Sequence, residues 1–245
     1  MTNLAGNLAA TAGRYPDKVA IRLDQAELSW SQFYGLARAA AGALKAEGLE
    51  PGDRVALILP NVPSYPVLFY GTLLAGGIVV PMNPLLKRHE IEFFFADSGA
   101  KFAFVWPDFV AEAQAGAENP GTRVIPTGPL GPVPGSFTAD AAPVAAPAER
   151  DDTDTAVILY TSGTTGKPKG AELTHANLHL NASRSATVIM AMTHDDVIMG
   201  CLPLFHVFGL TCGLNAATVA GATLTLIPRF DPAKALEVIG RDKVT

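Results

Sequence analysis

Residues 160–170, YTSGTTGKPKG, concentrate the residue types that bind phosphate. Glycines let the backbone approach a ligand closely and turn its N–H groups towards an anion. Threonine and serine hydroxyls add hydrogen-bond donors, and lysines add positive charge. The segment follows the apolar run 156–160, which predicts a buried strand. A glycine- and hydroxyl-rich loop at the end of a buried strand predicts a polyphosphate site.

The spacing within this loop differs from that of a Walker A loop. Gly163 and Gly166 are too close together, Pro168 follows Lys167, and the residues after Gly170 predict a short strand instead of a helix. Phosphoryl chemistry of the P-loop kind is therefore disfavoured. The alternative interpretation is a polar surface hairpin, although such hairpins rarely gather so many anion-binding groups at the end of a buried strand.

A second candidate for chemistry is His206, which follows a predicted uncharged strand. An imidazole can exchange a proton near neutral pH. The apolar neighbours Phe205 and Phe208 leave a second interpretation open, in which His206 is a hydrogen-bonded histidine of the core.

Two weaker candidates favour structural roles. His175 and His179 lie four residues apart on a predicted helix, but no third ligand follows at metal-binding spacing, so helix capping and surface exposure are favoured. The acidic run of Asp151, Asp152 and Asp154 is typical of a solvated face.

The elements that must position these residues alternate between short apolar strands and helices, which predicts βαβ units with parallel strands. Residues 126–150 are rich in Pro, Ala and Gly and predict a surface connector with little regular structure. Val244 and Thr245 predict the opening of a further strand, so we expect the sequence to stop inside a βαβ unit. The predicted strands are residues 55–59, 78–80, 102–105, 122–125, 156–160, 197–202 and 223–227, and the predicted helices are 29–48, 65–75, 89–97, 108–115, 174–190, 207–219 and 232–239.

Composition excludes several classes of protein. The 245 residues are 49% hydrophobic with a net charge of −5, and no basic run suits nucleic acid. Two cysteines cannot form a disulfide framework, and residues 1–14 do not resemble a secretory signal, so we expect a cytoplasmic protein. The uncharged stretches 55–86 and 197–228 contain prolines and predict buried elements instead of membrane spans.

The residues around the loop resemble a known family. YTSGTTGKPKG followed by AELTHANL resembles the AMP-binding signature of the adenylate-forming superfamily of acyl-CoA synthetases, luciferases and adenylation domains. The segment 203–210, PLFHVFGL, resembles the next core motif of the family, and its surroundings are most similar to bacterial fatty acyl-CoA synthetases. The early segments PDKVAI and LSWSQFY resemble the start of the family's N-terminal region.

The resemblance implies a fold and a division of the chain. It implies an α/β protein of flavodoxin-like parallel sheets with flanking helices, as the N-terminal portion of the family's large domain. Residues 1–50 would pack with the second α/β subdomain, residues 51–192 would form the first subdomain, and residues 193–245 would begin the second. The family's ribose, magnesium and C-terminal lysine motifs would then lie beyond Thr245, and we expect the chain alone to turn over poorly and to aggregate or oligomerise.

The resemblance also implies site residues. Lys169 matches the family's recurrent lysine and contributes to catalysis, whereas Lys167 lies at a variable position. His206 lies where the acyl pocket meets the nucleotide, and Thr164 could contact Mg²⁺ indirectly, with no other metal ligand in the chain. The residues that would wrap the phosphates of ATP are Thr161, Ser162, Gly163, Thr164, Thr165, Gly166 and Lys169. The residues that would shape the acyl tunnel, or else fill the core, are Phe205, His206, Val207, Phe208 and Gly209.

The implied reaction has two steps. A carboxylate, in this case a medium- or long-chain fatty acid, attacks the α-phosphorus of ATP to give an acyl-adenylate and pyrophosphate, and coenzyme A then displaces AMP. ATP, Mg²⁺ and coenzyme A are the implied cofactors and co-substrates. The sequence leaves open an aryl or amino acid substrate, transfer to a carrier protein, a truncated non-catalytic binding module, peripheral membrane association and a homo-oligomer.

Overall fold

The computed structural model describes residues 3–132, 135–138, 141–161 and 168–245. Its helices are α1 (Gly6–Arg14), α2 (Trp30–Ala46), α3 (Ser64–Leu74), α4 (Arg88–Ser98), α5 (Val110–Ala117), α6 (His175–Arg184), α7 (Ala216–Ala220) and α8 (Pro232–Asp242). Its strands are β1 (Val19–Leu23), β2 (Ala26–Ser29), β3 (Arg54–Ile58), β4 (Ile78–Pro81), β5 (Ala100–Val105), β6 (Arg123–Gly128), β7 (Gly131–Pro132), β8 (Thr155–Thr161), β9 (Lys169–Thr174), β10 (Val197–Gly200) and β11 (Thr223–Leu226). A short 3₁₀ turn covers Pro107–Phe109, and π-helical turns cover Ser185–Ile189 and Gly209–Asn215.

The larger of the two sheets has seven strands in the order β7-β6-β5-β3-β4-β8-β9. Its central strands β6, β5, β3, β4 and β8 run parallel, and the predicted α/β class is confirmed. Antiparallel hairpins add β7 at one edge and β9 at the other, which the sequence prediction of parallel pairing did not include. The carboxyl ends of β3, β4, β5 and β8 therefore meet at one edge of this sheet.

The smaller sheet has four strands in the order β10-β11-β1-β2. Ile21 of β1 pairs in parallel with Leu224 of β11, so the start of the chain and its last strand lie side by side. β2 returns antiparallel to β1 and leads into α2. A capping box begins α2, since the Ser29 hydroxyl accepts from Gln32 N–H and the Gln32 side chain accepts from Ser29 N–H.

The main core lies between the two sheets. Trp30 and Phe33 of α2 pack there with Phe69 and Tyr70 of α3 and with strands of both sheets, and all eleven residues of α3 are buried. This burial accounts for the uncharged stretch 55–86 without a membrane. No helix within the described ranges is long and apolar enough to cross a bilayer. On the outer face of the larger sheet, α4 and α5 cover a second core.

Several predicted boundaries are wrong. The helix predicted for 174–190 ends at Arg184 and continues as the π-helical turn Ser185–Ile189, and the helix predicted for 207–219 begins as the π-helical turn Gly209–Asn215. An apolar pattern one turn long does not distinguish a period of 3.6 residues from a wider turn. The connector predicted for 126–150 contains the end of β6 and the strand β7. No strand is assigned at 244–245, although Thr245 N–H donates to Val197 O over 3.1 Å.

Candidate functional site

The hairpin of β8 and β9 brings two of the predicted phosphate-binding residues together. Thr161 ends β8, Lys169 begins β9, and the two are register partners on the last rung of the hairpin. Both side chains are exposed. The other predicted loop residues, Ser162, Gly163, Thr164, Thr165, Gly166 and Lys167, lie outside the described residues. Thr161 and Lys169 thus lie together at the carboxyl edge of the larger sheet.

Tyr160 lies at the base of this loop, one residue before Thr161. Its ring stacks on Phe94 of α4 with centroids 4.2 Å apart and an interplanar angle of 12°. Its phenol donates a hydrogen bond of 2.7 Å to Asp97 Oδ2. Burial, and then the neighbouring Asp97 carboxylate, raise the pKa of Tyr160 well above its usual range, so the phenol remains a donor at neutral pH.

His206 is exposed in this chain, so its ring is not part of the core that the structure describes. It lies in the turn that follows β10, where its backbone N–H donates to Pro203 O over 3.1 Å. Its Nδ1 accepts a hydrogen bond of 3.3 Å from Phe208 N–H, which leaves Nε2 directed away from this contact. The side chain is therefore free to meet a ligand at the surface of the turn.

The neighbours of His206 fall into three groups. Val207 and Phe208 are exposed, and Phe208 has 56% of its surface accessible. Phe205 is half-buried and lines a cleft. Gly209 is buried, and a Cβ at this position would overlap the carbonyl oxygen of Pro203. Gly209 therefore permits a close backbone approach that shapes the turn carrying His206.

A cleft of about 880 Å³ lies between the carboxyl ends of the strands of both sheets. Aromatic and aliphatic side chains dominate its lining, with Asp108 and Arg229 among them. The apolar side chains that line it include Leu85, Trp106, Phe109, Leu202, Phe205 and Phe230. An apolar cleft with a few polar groups at this edge is the usual form of a ligand site in an α/β protein.

Asn61 fixes the two walls of this cleft relative to each other. It follows β3, is 4% exposed, and its side-chain amide donates to Gly200 O over 2.9 Å and to Leu202 O over 2.8 Å. Sequence reasoning missed Asn61, Trp106 and Arg229. The available signal was their position directly after predicted strands, where parallel sheets place ligand-binding residues.

The weaker candidates have structural contacts. His175 is 2% exposed, so the predicted surface exposure is wrong, and its Nδ1 accepts from Leu4 N–H over 3.0 Å. Burial, and then the Arg150 guanidinium, lower the pKa of His175 to about 4. His179 Nδ1 lies 3.0 Å from Asn7 Oδ1. Within the described ranges no group of three His, Cys, Asp or Glu side chains could hold a metal ion.

Comparison with known proteins gives a family match over almost the whole chain. The model of the AMP-binding enzyme family matches residues 8–245. The long-chain-fatty-acid–CoA ligase of Bacillus subtilis (strain 168) is 32% identical over 97% of this chain and 48% of its own length. The feruloyl-CoA synthase of Amycolatopsis sp is 33% identical over 94% of this chain and 45% of its own length. The chain thus spans about half the length of these curated relatives.

A solved structure has a fold similar to that of this chain. The crystal structure of ATP-bound MatB from Rhodopseudomonas palustris superposes with a TM-score of 0.88 and 34% sequence identity. The match covers 98% of this chain and 48% of the MatB chain. The arrangement of two sheets around a shared core is therefore one that a solved ATP-binding structure also has.

Proposed function

The chain belongs to the AMP-binding enzyme family, and from this membership we propose that it supplies the phosphate-binding part of an enzyme that activates a carboxylic acid. In this proposal the carboxylate attacks the α-phosphorus of ATP and displaces pyrophosphate, and the thiol of coenzyme A then attacks the acyl-adenylate and displaces AMP. The observation that carries the proposal is the pairing of Thr161 with Lys169 at the carboxyl edge of the larger sheet, beside the segment with the AMP-binding signature.

The proposed roles follow from where negative charge develops. Departing pyrophosphate gains charge, so preorganised N–H, hydroxyl and ammonium groups around the β- and γ-phosphates lower the barrier. Lys169 would contribute the ammonium group, and Thr161 a hydroxyl at the entrance of the loop. The glycines and hydroxyls of Ser162, Gly163, Thr164, Thr165 and Gly166 would complete the cradle.

Of this donor set, only the oxygen atoms suit Mg²⁺. Mg²⁺ prefers hard oxygen ligands and is commonly held by substrate phosphates with one or two protein groups. Among the described residues no group of three His, Cys, Asp or Glu side chains could hold it, so the phosphates of ATP would hold the ion and the Thr164 hydroxyl would contact it indirectly. When bound, the ion would neutralise charge on the pyrophosphate.

The substrate is proposed to be a medium- or long-chain fatty acid. The apolar lining of the 880 Å³ cleft supports an aliphatic or aromatic acyl group over a polar one. Its position between the ends of β3–β5 and the turn after β10 puts Phe205 in its wall, while His206, Val207 and Phe208 lie exposed on the same turn. The relatives named above include both a fatty-acid and an aryl ligase, so an aryl acid is the second candidate.

The proposed organisation follows the two sheets. Residues 1–50 and 193–245 contribute β1, β2, β10 and β11 to the smaller sheet, and the strands of residues 51–192 form the larger one. We propose these as the subdomains of the protein. The phosphate loop at residues 160–170 would then lie at the end of the larger sheet, with the acyl cleft between the two.

The experiment that tests the function is carboxylate-dependent ATP–pyrophosphate exchange. It should be run on this chain and on the complete reading frame that encodes it, with fatty, aryl, amino and dicarboxylic acids. We expect exchange from the complete protein, strongest with fatty acids, and little from this chain alone. Exchange with aryl acids only would show that the substrate is an aryl acid and not a fatty acid. A complete protein that binds ATP but catalyses no exchange would instead support a non-catalytic binding module.

A further inference from the structure

One wall of the cleft is a short segment that lies beyond the end of a strand. The pairing of β10 with β11 extends to Gly200, so the residues that follow it lie outside the ladder of the smaller sheet. Other contacts must therefore set where this wall stands. The residues of the segment that line the cleft are Cys201, Leu202, Pro203 and Phe205.

Leu204 anchors this segment to the larger sheet. Its side chain is 1% exposed and lies in the main core. Its backbone N–H donates to Asn61 Oδ1 over 3.0 Å, and its carbonyl accepts a hydrogen bond of 2.9 Å from the Tyr65 phenol. Asn61 follows β3, and Tyr65 lies in α3. Both backbone polar groups of Leu204 are thus held by the segment that joins β3 to α3.

Tyr65 gives this contact a fixed origin. Its side chain is fully buried, as are all eleven residues of α3. Burial raises the pKa of Tyr65 well above its usual range, so the phenol stays protonated and remains a donor. Close packing around a buried helix leaves the phenol little freedom to move. The Leu204 carbonyl therefore meets a donor whose place is set by the core.

The carbonyl that Tyr65 binds belongs to the peptide bond between Leu204 and Phe205. Pro203 O accepts from His206 N–H over 3.1 Å, so Leu204 and Phe205 are the two central residues of a β-turn. The plane of the central peptide decides how the second central residue leaves such a turn. A hydrogen bond that fixes this plane therefore fixes the direction in which Phe205 meets the cleft.

We propose that Tyr65 is a positioning residue for the acyl substrate, because its phenol fixes the Leu204–Phe205 peptide and thereby holds the Phe205 wall of the cleft in place. The consequence for binding rests on the proposed function, since it assumes that the cleft takes the acyl group. Tyr65 is fully buried and does not touch the substrate. It acts by preforming the wall, so that substrate binding does not have to order it.

The first test does not depend on activity. In the complete protein, hydrogen–deuterium exchange of the peptide spanning 200–210 should become about two- to tenfold faster in Tyr65→Phe, which keeps the ring and loses one hydrogen bond. Tyr70→Phe is the matched control, since it removes an equally buried phenol of α3 that donates over 2.9 Å to the Asn215 side chain. Unchanged exchange in Tyr65→Phe, or the same increase in both variants, would overturn the proposal.

The second test separates positioning from general stability. We expect Tyr65→Phe to raise KM for the most rapidly exchanged carboxylate about two- to tenfold, with KM for ATP unchanged. Tyr70→Phe should leave both KM values at the wild-type level. Equal changes in both KM values of Tyr65→Phe, or a loss of Tm without any change in KM, would refute the positioning role.

A double mutant tests the route through Phe205. Phe205→Ala removes the side chain that Tyr65 is proposed to place, so adding Tyr65→Phe to it should raise KM for the carboxylate no further. If the effects of the two substitutions on this KM multiply as independent changes do, Tyr65 does not act through Phe205 and the proposal fails.

The two proposals fail in different ways. If wild-type protein neither exchanges pyrophosphate nor binds ATP, the proposed function fails and the role in substrate binding fails with it, while hydrogen exchange still decides whether Tyr65 fixes the turn. If the wild type is active and Tyr65→Phe has a normal KM for the carboxylate, the function stands and the inference fails.

Discussion

Leu204 donates its backbone N–H to the side-chain oxygen of Asn61 over 3.0 Å, across the boundary between the two sheets. Asn61 follows β3 of the larger sheet, and Leu204 follows β10 of the smaller one. With the two carbonyls that the Asn61 amide also binds, this side chain forms hydrogen bonds with three backbone groups, at the end of β10 and in the turn that leads to His206. The geometry of that turn therefore depends on a residue about 140 positions earlier in the chain.

Asn61→Ala should destabilise the protein by about 1–3 kcal/mol, because it leaves the buried Leu204 N–H without a partner. Urea unfolding followed by circular dichroism measures the change. The matched control is Asn119→Ala, whose exposed side chain donates a hydrogen bond to Glu92, and which should change the free energy of unfolding by under about 0.5 kcal/mol. Similar values for both variants would contradict the bridging role of Asn61.

The lowered pKa of His175 predicts that the protein loses stability in mild acid. Its pKa is lowered to about 4 in the folded chain by burial and then by Arg150, against about 6.5 when unfolded. Between these two pKa values a proton binds His175 in the unfolded chain more readily than in the folded chain. The free energy of unfolding therefore keeps the full His175 contribution above about pH 6.5, and it falls by roughly 3 kcal/mol as the pH drops to about 4. The measurement is the free energy of unfolding as a function of pH.

His175→Asn is the variant that isolates this effect. The amide oxygen of asparagine can replace Nδ1 as the acceptor for Leu4 N–H, and it does not titrate. We expect a shallower pH dependence between about pH 6.5 and 4 than in wild type, and no change of slope in the exposed control His89→Asn. A wild-type slope in His175→Asn would assign the acid sensitivity to other groups.

Lys169→Met should abolish most of the pyrophosphate exchange of the complete protein. Lys169 is the register partner of Thr161 at the end of the hairpin, and in the proposed site the loss of one charged donor would cost about 10²–10³ in rate. Lys45→Met removes an exposed lysine of α2 and should leave exchange unchanged. If Lys169→Met exchanged pyrophosphate at more than half the wild-type rate, Lys169 would have no role in catalysis.

Gly209→Ala should disturb the turn that carries His206. The added methyl group would overlap Pro203 O, which already accepts from His206 N–H. We expect a loss of about 1–3 kcal/mol in the free energy of unfolding and a higher KM for the carboxylate. Gly213→Ala lies in the same π-helical turn with open space around it, and a matching loss there would refute the steric explanation.

The sequence predicts much of this fold because its signals are local. The apolar run of β8, the Ser29 capping box and the alternation of strands with helices each depend on residues close together in the chain. The family resemblance based on residues 160–170 and 203–210 is confirmed by the match over residues 8–245. The antiparallel pairing that places Thr161 opposite Lys169 is also local, but the prediction of parallel strands did not include it.

The parts that the sequence did not predict depend on distant contacts. The burial of His175 arises from Leu4 at the other end of the chain, and the role of Asn61 arises from backbone groups after β10. The exposure of His206 could not be predicted from the sequence. Its apolar neighbours indicate burial, but Val207 and Phe208 are themselves exposed. In each case one side chain meets a partner, or open solvent, that no local pattern specifies.

The pairing of Ile21 with Leu224 has a consequence for biosynthesis. About 200 residues separate these neighbours on adjacent strands, so the ribosome needs roughly 10–40 s to deliver the partner that β1 requires. During that interval β1 can pair only with β2, so its edge towards β11 and the apolar residues of α1 lack their partners, and closing so long a loop slows folding. The nascent amino-terminal segment is therefore a natural client for chaperones that bind exposed apolar chain.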